Sequence, residues 1–359
     1  MPTSERQAMK AMERLPRTST DAAAAAIKAM VSVYRERGAP LYAALSERVP
    51  EEPELVAIAA HSLAGAPAVH LFGAVHYLLL SDPRDPLAQF FPTLAEWPAP
   101  PERAFPLFAQ FCRNRRKDIV HLLKTRTVQT TYAERCQIMV PPLSHVANSL
   151  GEPLDIIEIG CSAGVLLTFD KYAYELRGRG FLGLKDAPLT FRLDVRGGPE
   201  LHIPRLGKRI GLDLRPIDVT SQDERRWLLA LSIPERLEGH ARLATALDVV
   251  ARTEINYCEG DALELLPELI AGSPGPLCIC HSACVLYWST EAKAALDVLL
   301  SEASRGREFY RVGMEFDLQR PQTSDKFVEV VITHYCNGAA DSEVVAYSTA
   351  DGATFTWLN

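Results

Sequence analysis

The first third of the chain carries apolar residues at helical spacing. Two stripes recur at intervals of three and four residues: Ile27, Met30, Val31 and Tyr34, then Leu55, Ile58, Ala59 and Leu63. Such stripes are typical of amphipathic helices. Seven prolines between Pro83 and Pro106 predict loops and short turns there, because proline fits neither a helix interior nor a central strand. Helical periodicity resumes from Phe105 to Leu123.

The pattern changes near Leu154, where short apolar or β-branched runs alternate with helical segments. The predicted strands are Leu154 to Ile159, Arg209 to Leu214, Ile255 to Tyr257, Leu277 to His281 and Phe309 to Phe316. Phe191 to Val195 and Glu200 to Ile203 suggest an inserted hairpin, and the C-terminal runs predict a hairpin-like end that closes the sheet. Strands alternating with helices favour an α/β fold with a Rossmann-like, doubly wound parallel sheet.

Length, composition and charge narrow the functional classes. A chain of 359 residues predicts about two domains, which we assign to a helical N-terminal domain at 1–127 and an α/β domain at 128–359. Hydrophobic residues make up 47% and charged residues 23%, as in soluble globular proteins. The net charge of -7 repels phosphate backbones, so we expect no nucleic-acid partner.

The cysteines and the N-terminus indicate a cytoplasmic protein. Eight cysteines are scattered, several of them in apolar runs, which is typical of reduced thiols. Met1 to Arg17 lacks the apolar segment of an export signal. The longest apolar stretch, Ala66 to Ser81, is too short to span a bilayer, so we expect no membrane partner.

The strongest chemical signal is the turn that follows the first predicted strand. Glu158 lies near the end of that strand, and Gly160-Cys161-Ser162-Ala163-Gly164 leads into a predicted helix. Small residues in such a turn let a ligand approach the backbone, and a helix start offers N–H donors. The same pattern also occurs in tight strand-to-helix turns that bind no ligand. Residues at the ends of the other predicted strands are needed to distinguish the two cases.

Two further acids end the next predicted strands. Asp213 lies 49 residues after Gly164, further than the usual spacing of about 20 residues to a ribose-binding acid. Asp261 follows the third predicted strand and either contacts a ligand or caps the next helix. Acids at three strand ends favour a nucleotide-type ligand.

This arrangement resembles the class I S-adenosylmethionine-dependent methyltransferases, whose first motif is an acid followed by a glycine-rich turn. The resemblance implies that Gly160 and Gly164 admit the methionine part of the cofactor, that Asp213 holds the ribose, and that Asp261 and Ala262 meet the adenine. Ser162 replaces the middle glycine of the motif. The expected cofactor contacts are Glu158, Gly160, Ser162, Gly164, Asp213, Asp261, Ala262 and Ser282.

A more extensive resemblance covers nearly the whole chain. The segments that carry it are Val128-Gln129-Thr130-Thr131 with Glu134-Arg135, the turn at 160–164 with Asp170-Lys171-Tyr172, residues 211–218 with Arg226-Trp227-Leu228, and His281-Ser282. They are similar to the bacterial domain of unknown function 2332 family. The resemblance implies a fold and a pocket and assigns no reaction.

We expect methyl transfer from S-adenosylmethionine to a small-molecule substrate, with His281 as the general base. A hydroxyl or ammonium acceptor must lose a proton, and histidine is the side chain best suited to take it near neutral pH. A core histidine bonded to a neighbouring carbonyl is the alternative for His281.

Two other functions remain open. Gly160 to Gly164 also matches the Gly-x-Ser-x-Gly nucleophile elbow of α/β-hydrolases, with Ser162 as nucleophile, Asp261 as acid and His281 or His334 as base. A cofactor-binding regulator without catalysis is the third possibility. Cys278, Cys280 and Cys284 with His281 are expected to hold no metal, because they lie in or beside an apolar strand rather than in paired turns.

Overall fold

The computed structural model describes residues 19–63, 66–321 and 323–358. Met1 to Arg17, where the sequence predicts no export signal, lies outside these ranges. The chain divides into two compact units, unit 1 with Met1–Thr130 and Thr220–Ala244, and unit 2 with Thr131–Val219 and Thr245–Asn359.

Unit 1 is helical. Its helices are α1 (Thr20–Glu36), α2 (Pro40–Arg48), α3 (Pro53–Ala59), α4 (Pro67–Ser81), α5 (Phe105–Asn114), α6 (Arg116–Thr125) and, after a long excursion of the chain, α8 (Gln222–Ala230). Between α4 and α5 the proline-rich segment forms only short 3-10 turns, Pro86–Phe90 and Pro101–Arg103, as the sequence predicts. No helix in the described ranges is long and apolar enough to cross a membrane.

The core of unit 1 forms around the apolar faces of these helices. Ile27, Phe72 and Trp227 are buried in one cluster. Two histidines in α4 belong to this interior: burial lowers the pKa of His70 to about 4 and that of His76 to about 3. The His70 Nδ1 hydrogen-bonds with the Ser62 hydroxyl and the His76 Nδ1 with the Ala230 carbonyl, so both are structural histidines.

Unit 2 is built on a large, mostly parallel sheet with helices, a mixed α/β arrangement. Its strands are β1 (Leu154–Ile159), β2 (Ala173–Leu176), β3 (Gly180–Leu182), β4 (Thr190–Arg196), β5 (Leu206–Asp213), β6 (Asn256–Glu259), β7 (Leu277–Ser282), β8 (Phe309–Phe316), β9 (Val328–Cys336), β10 (Ala339–Ser348) and β11 (Thr354–Trp357). Their order across the sheet is β3-β2-β4-β11-β10-β9-β8-β7-β1-β5-β6.

Strand order reverses at β1. The strands β5 and β6 follow β1 on one side, and β7 and β8 lie on the other, all parallel to β1. The two central strands, β1 and β7, are buried along their whole length, whereas β6 at the edge is partly exposed. The helices of unit 2 are α7 (Cys136–Leu150), α10 (Ala262–Ala271) and α11 (Thr290–Ala303), and α9 (Leu237–Val250) continues into it from unit 1.

The two faces of the block carry different helices. Alternate strand residues such as Ile157, Ile159 and Ile279 form a core cluster with α10 and α11. The amino-terminal helix α7 packs against β7 and β8. Because β5 and β7 both run parallel to β1, the carboxyl ends of the three strands lie at the same edge of the sheet.

The inserted segment differs from the predicted hairpin. The strand β4 does not pair with residues 200–203, which form no strand, but runs parallel to β2 and to β11. Since β4 pairs with β11, the C-terminal strands lie inside the sheet and do not close its edge. A local hydrophobic pattern could not reveal this, because the partners of β4 are distant in sequence.

The prediction of an α-helix directly after the glycine turn is also wrong. Residues Leu166–Lys171 form a short 3-10 helix. A helix of this length has no macrodipole of consequence. The turn therefore relies on its own backbone geometry.

Candidate functional site

The turn after β1 is held in left-handed backbone conformations. Gly160, Ser162 and Gly164 have φ angles of 73°, 51° and 74°. This region is costly for a residue with a Cβ atom, so Ser162 is the strained position of the three. The turn reverses the chain within five residues at the point where strand order changes.

Two side chains explain why 160 and 164 are glycines. A Cβ atom at Gly160 would collide with the Cys284 Sγ, and one at Gly164 would lie 2.7 Å from the Tyr257 hydroxyl oxygen. Tyr257 in turn donates to the Ala163 carbonyl at 2.8 Å. The space beside these two glycines is thus occupied by the protein's own side chains, Cys284 beside Gly160 and Tyr257 beside Gly164.

Asp213 ties the end of β5 to this turn. Its Oδ2 accepts the Ser162 N–H at 2.8 Å, and its Oδ1 accepts the Arg215 N–H at 3.0 Å. Asp213 therefore contacts the turn directly, through the hydrogen bond from the Ser162 N–H.

Glu158 is the most perturbed acid at this edge. Only 3% of its surface is exposed, and its Oε2 has no hydrogen-bond partner within the described ranges. Burial, reinforced by the charge of Asp213, raises the pKa of Glu158 well above its usual value, and Arg135 opposes this shift. A buried acid without a full set of donors is costly in a static interior and is typical of a site that binds a ligand.

Arg135 brings a buried positive charge to the same face. Its guanidinium lies over the rings of Tyr132 and Phe316, with 5.3 and 5.1 Å to the ring centroids. Burial lowers its pKa, and the charges of nearby groups that include Glu315 and Glu158 partly offset this. No described carboxylate forms an ion pair with it, so its N–H donors are available to an anionic group.

His281 forms a dyad with Glu315. Its Nδ1 lies 2.6 Å from the Glu315 Oε1, and its ring packs over Gly313, where a Cβ would come within 2.9 Å of Cε1. The Glu315 carboxylate also accepts N–H groups of Cys284, Val285 and Leu286 at 3.2 to 3.4 Å. These bonds fix Glu315, and Glu315 in turn orients the imidazole.

The predicted residues do not all share one face of the sheet. Glu158 is level with Cys280, whereas His281 is level with Ile159. Because side chains alternate along a strand, Glu158 and His281 project to opposite faces and approach each other only at the carboxyl edge. The predicted side chains therefore lie at the same edge of the sheet, but they do not lie on the same face of it.

The remaining predicted contacts lie at the ends of β6 and β7. Asp261 is exposed and caps α10, accepting the Leu263 N–H at 2.8 Å. Ala262 and Ser282 are buried, at 6% and 7% exposure. Asp261 is close to Asp213 in the sheet, since the Gly260 N–H donates to the Asp213 carbonyl at 2.9 Å.

The hydrolase triad is not assembled as the sequence suggested. The partner of His281 is Glu315, not Asp261. His334 is level with Tyr310 near the start of β8, whereas Ser162 follows the carboxyl end of β1. At about 3.3 Å per residue along the strands, His334 lies far from Ser162.

The cysteine cluster also divides between faces. Cys278 and Cys280 are wholly buried in β7, where burial raises their thiol pKa values, and His281 points to the other side. The absence of a metal from this cluster stays a prediction.

Two residues of the site escaped the sequence argument. Glu315 stands between Met314 and Phe316 near the end of a buried strand, and a charge in that setting is a usable signal. Arg135 belongs to a motif that carries the family resemblance, and the resemblance assigns it no role. Its neighbour Phe316 is 181 residues away in sequence, so spacing alone gives no hint of their contact.

Comparison with known proteins identifies a family without an assigned activity. Residues 24–357 match the family model described as "Uncharacterized protein conserved in bacteria (DUF2332)". No curated protein and no solved structure matches the chain. Because the match covers nearly the whole sequence, the chain belongs to the DUF2332 family.

Proposed function

We propose that unit 2 binds S-adenosylmethionine at the carboxyl edge of β1, β5 and β6 and transfers its methyl group to a small molecule. The strand order β6-β5-β1-β7-β8 supports this proposal, because doubly wound, Rossmann-like sheets use this order and bind nucleotides where it reverses. In this structure that position is the turn at 160–164.

The observation that carries the proposal is a buried carboxyl group, Glu158, and a buried guanidinium, Arg135, beside this turn. Glu158 has an unpartnered carboxylate oxygen, and Arg135 has donors that no described carboxylate takes. An α-amino acid carries an ammonium, beside which Glu158 would ionise, and a carboxylate that complements the Arg135 guanidinium. The methionine part of S-adenosylmethionine is such a group, whereas Asp213 and Asp261 supply acceptors for the hydroxyls and the amine of its nucleoside part.

The residues present therefore fit this cofactor, which supplies a methyl group bonded to a positively charged sulfur. Glu158 and Arg135 would hold its amino-acid end, and Asp213 would hold its ribose. His281 would take the proton that the acceptor loses. In the neutral tautomer whose Nδ1–H donates to Glu315, the lone pair of the imidazole is on Nε2, which is the form that a general base requires.

Two ligands that differ only in the amino-acid part test the proposal. Calorimetric titration of the full chain with S-adenosylhomocysteine and with 5′-methylthioadenosine should give one site for each, with the former bound more tightly. In Glu158→Gln, the affinity for S-adenosylhomocysteine should fall by about 10- to 150-fold, since a hydrogen bond to a charged group contributes about 1.5–3 kcal/mol. The affinity for 5′-methylthioadenosine should not change.

Asp261→Ser provides the complementary test. Serine still caps α10 but its side chain is shorter and uncharged. The variant should weaken both ligands equally, whereas Glu259→Gln at the exposed end of β6 should weaken neither. Equal binding of both ligands by the wild type, or loss of both in Glu158→Gln, would contradict the assignment of the two charges.

Acyl hydrolysis by Ser162 is the second candidate. The observation in its favour is the left-handed φ of 51° at a serine within Gly-x-Ser-x-Gly, because nucleophile elbows hold their serine in a strained turn. Under our proposal a fluorophosphonate probe leaves Ser162 unmodified. Stoichiometric labelling that is lost in Ser162→Ala would favour the hydrolase.

A further inference from the structure

We propose that Glu308, His334 and Cys336 form a binding site for a divalent transition-metal ion, with zinc as the best match. A carboxylate oxygen of Glu308, a ring nitrogen of His334 and the sulfur of Cys336 all lie within 4.8 Å of one another. The site is at the amino end of β8, away from the carboxyl edge, and does not depend on the proposed methyl transfer.

The strand register places the three side chains on one face. In the antiparallel pair of β8 and β9, Tyr310 is level with His334 and Phe309 with Tyr335. Glu308 precedes β8 and is thus beside Cys336. Because side chains alternate, Phe309 and Tyr335 point to the opposite face, where both are buried and stack at 5.1 Å.

The scaffold already fixes the histidine. The Tyr310 ring stacks on the His334 ring with centroids 4.6 Å apart and an angle of 19° between the planes. The His334 Nε2 lies 2.6 Å from the Glu308 Oε1. Two ligands are therefore oriented before an ion arrives, and the ordering cost of binding is reduced.

The donor set suits zinc. Thiolate, imidazole and carboxylate are its common protein ligands, at about 2.0–2.3 Å, which in a tetrahedral site sets donors about 3.3–3.8 Å apart. Small side-chain rotations would lengthen the distance between the Glu308 and His334 donor atoms and shorten their distances to the Cys336 sulfur, so that all three reach about 3.3–3.8 Å. The side chains of His334 and Glu308 are 35% and 49% exposed, so the ion can enter from solvent and keep a water as fourth ligand.

Binding would exchange one interaction for three. The His334 to Glu308 hydrogen bond is replaced by metal bonds that join the start of β8 to the end of β9. Only the thiolate form of Cys336 binds the ion, so its proton goes to the buffer and no electron is transferred.

Cobalt titration tests the site with a direct reporter of the thiolate. The full chain, freed of metal by dialysis against a chelator, should bind one Co²⁺ with a sulfur-to-cobalt charge-transfer absorption that zinc abolishes. Cys336→Ser should remove this absorption, while Cys258→Ser, which changes another partly exposed thiol of unit 2, should retain it. The melting temperature without metal checks that each variant folds.

Two further measurements separate a built site from an adventitious ion. Glu308→Gln and His334→Ala should each weaken zinc by more than about tenfold, and the binding heat should depend on the buffer as expected for release of about one proton. Absorption that persists in Cys336→Ser, or zinc bound equally by all variants, would overturn the proposal. Cys280→Ser should leave the stoichiometry unchanged, in keeping with the metal-free cluster predicted in β7.

Discussion

Replacement of Glu158 by glutamine should make the protein more stable relative to the wild type as the pH rises. The folded state raises the pKa of Glu158 well above 4.5 because the group is buried and near Asp213. Glutamine keeps the size of the side chain and cannot ionise. The variant thus removes one titration and leaves the packing of β1 in place.

The sign follows from proton binding in the two states. Between about pH 4.5 and the higher pKa of the folded protein, the folded state holds a proton on Glu158 that the unfolded chain has lost. The free energy of unfolding therefore falls as the pH rises through this window, by at most about 1.4 kcal/mol per pH unit for one group. Below about pH 4.5 Glu158 is protonated in both the folded and the unfolded state, and it no longer lowers the free energy of unfolding.

Urea denaturation across about pH 5 to 8 measures the effect, with one fit of the free energy of unfolding at each pH. The difference between Glu158→Gln and wild type should increase in favour of the variant by up to about 1.4 kcal/mol per pH unit. The exposed acid Glu259 gives the control, since Glu259→Gln should follow the wild-type curve. If the free energies of unfolding of Glu158→Gln and wild type change in parallel with pH, Glu158 does not retain its proton on folding and the reasoning is refuted.

Two predictions concern the dyad and the turn. His281→Ala should retain S-adenosylhomocysteine binding but lose about 10²–10⁴-fold in methyl-transfer turnover; equal loss of binding and turnover would make it a structural or cofactor contact instead. Gly160→Ala should destabilise the chain by about 2–5 kcal/mol, the sum of a left-handed alanine and a collision with Cys284. In a Cys284→Gly background the collision part should vanish, and an unchanged cost in urea denaturation would show that the contact is not responsible.

The parallel block could be predicted because its information is local. Phe309–Phe316 and Leu154–Ile159 were predicted with the bounds that the structure gives for β8 and β1, since short runs rich in apolar and β-branched residues are typical of strands. Ser221, three residues before Glu224, is a local signal of the same kind: its side chain caps α8 by accepting the Glu224 N–H.

The failures come from contacts between residues that are distant in sequence. The partners of β4 are β2 and β11, so the predicted hairpin was wrong although a strand at 191–195 was right. The His281–Glu315 bond joins residues 34 positions apart, and Cys284 occupies the space beside Gly160. A glycine pattern alone cannot tell whether a ligand or a side chain requires the space.

Hydrogen–deuterium exchange with saturating S-adenosylhomocysteine tests the central claim most directly, because it reports both binding and location. We predict slower exchange of amides at Gly160–Gly164, Leu212–Arg215 and Gly260–Leu263, with no change at the distant strand β3 (Gly180–Leu182). Unchanged exchange throughout the chain, or protection confined to segments away from these three strand ends, would contradict a cofactor site at the carboxyl edge of β1, β5 and β6.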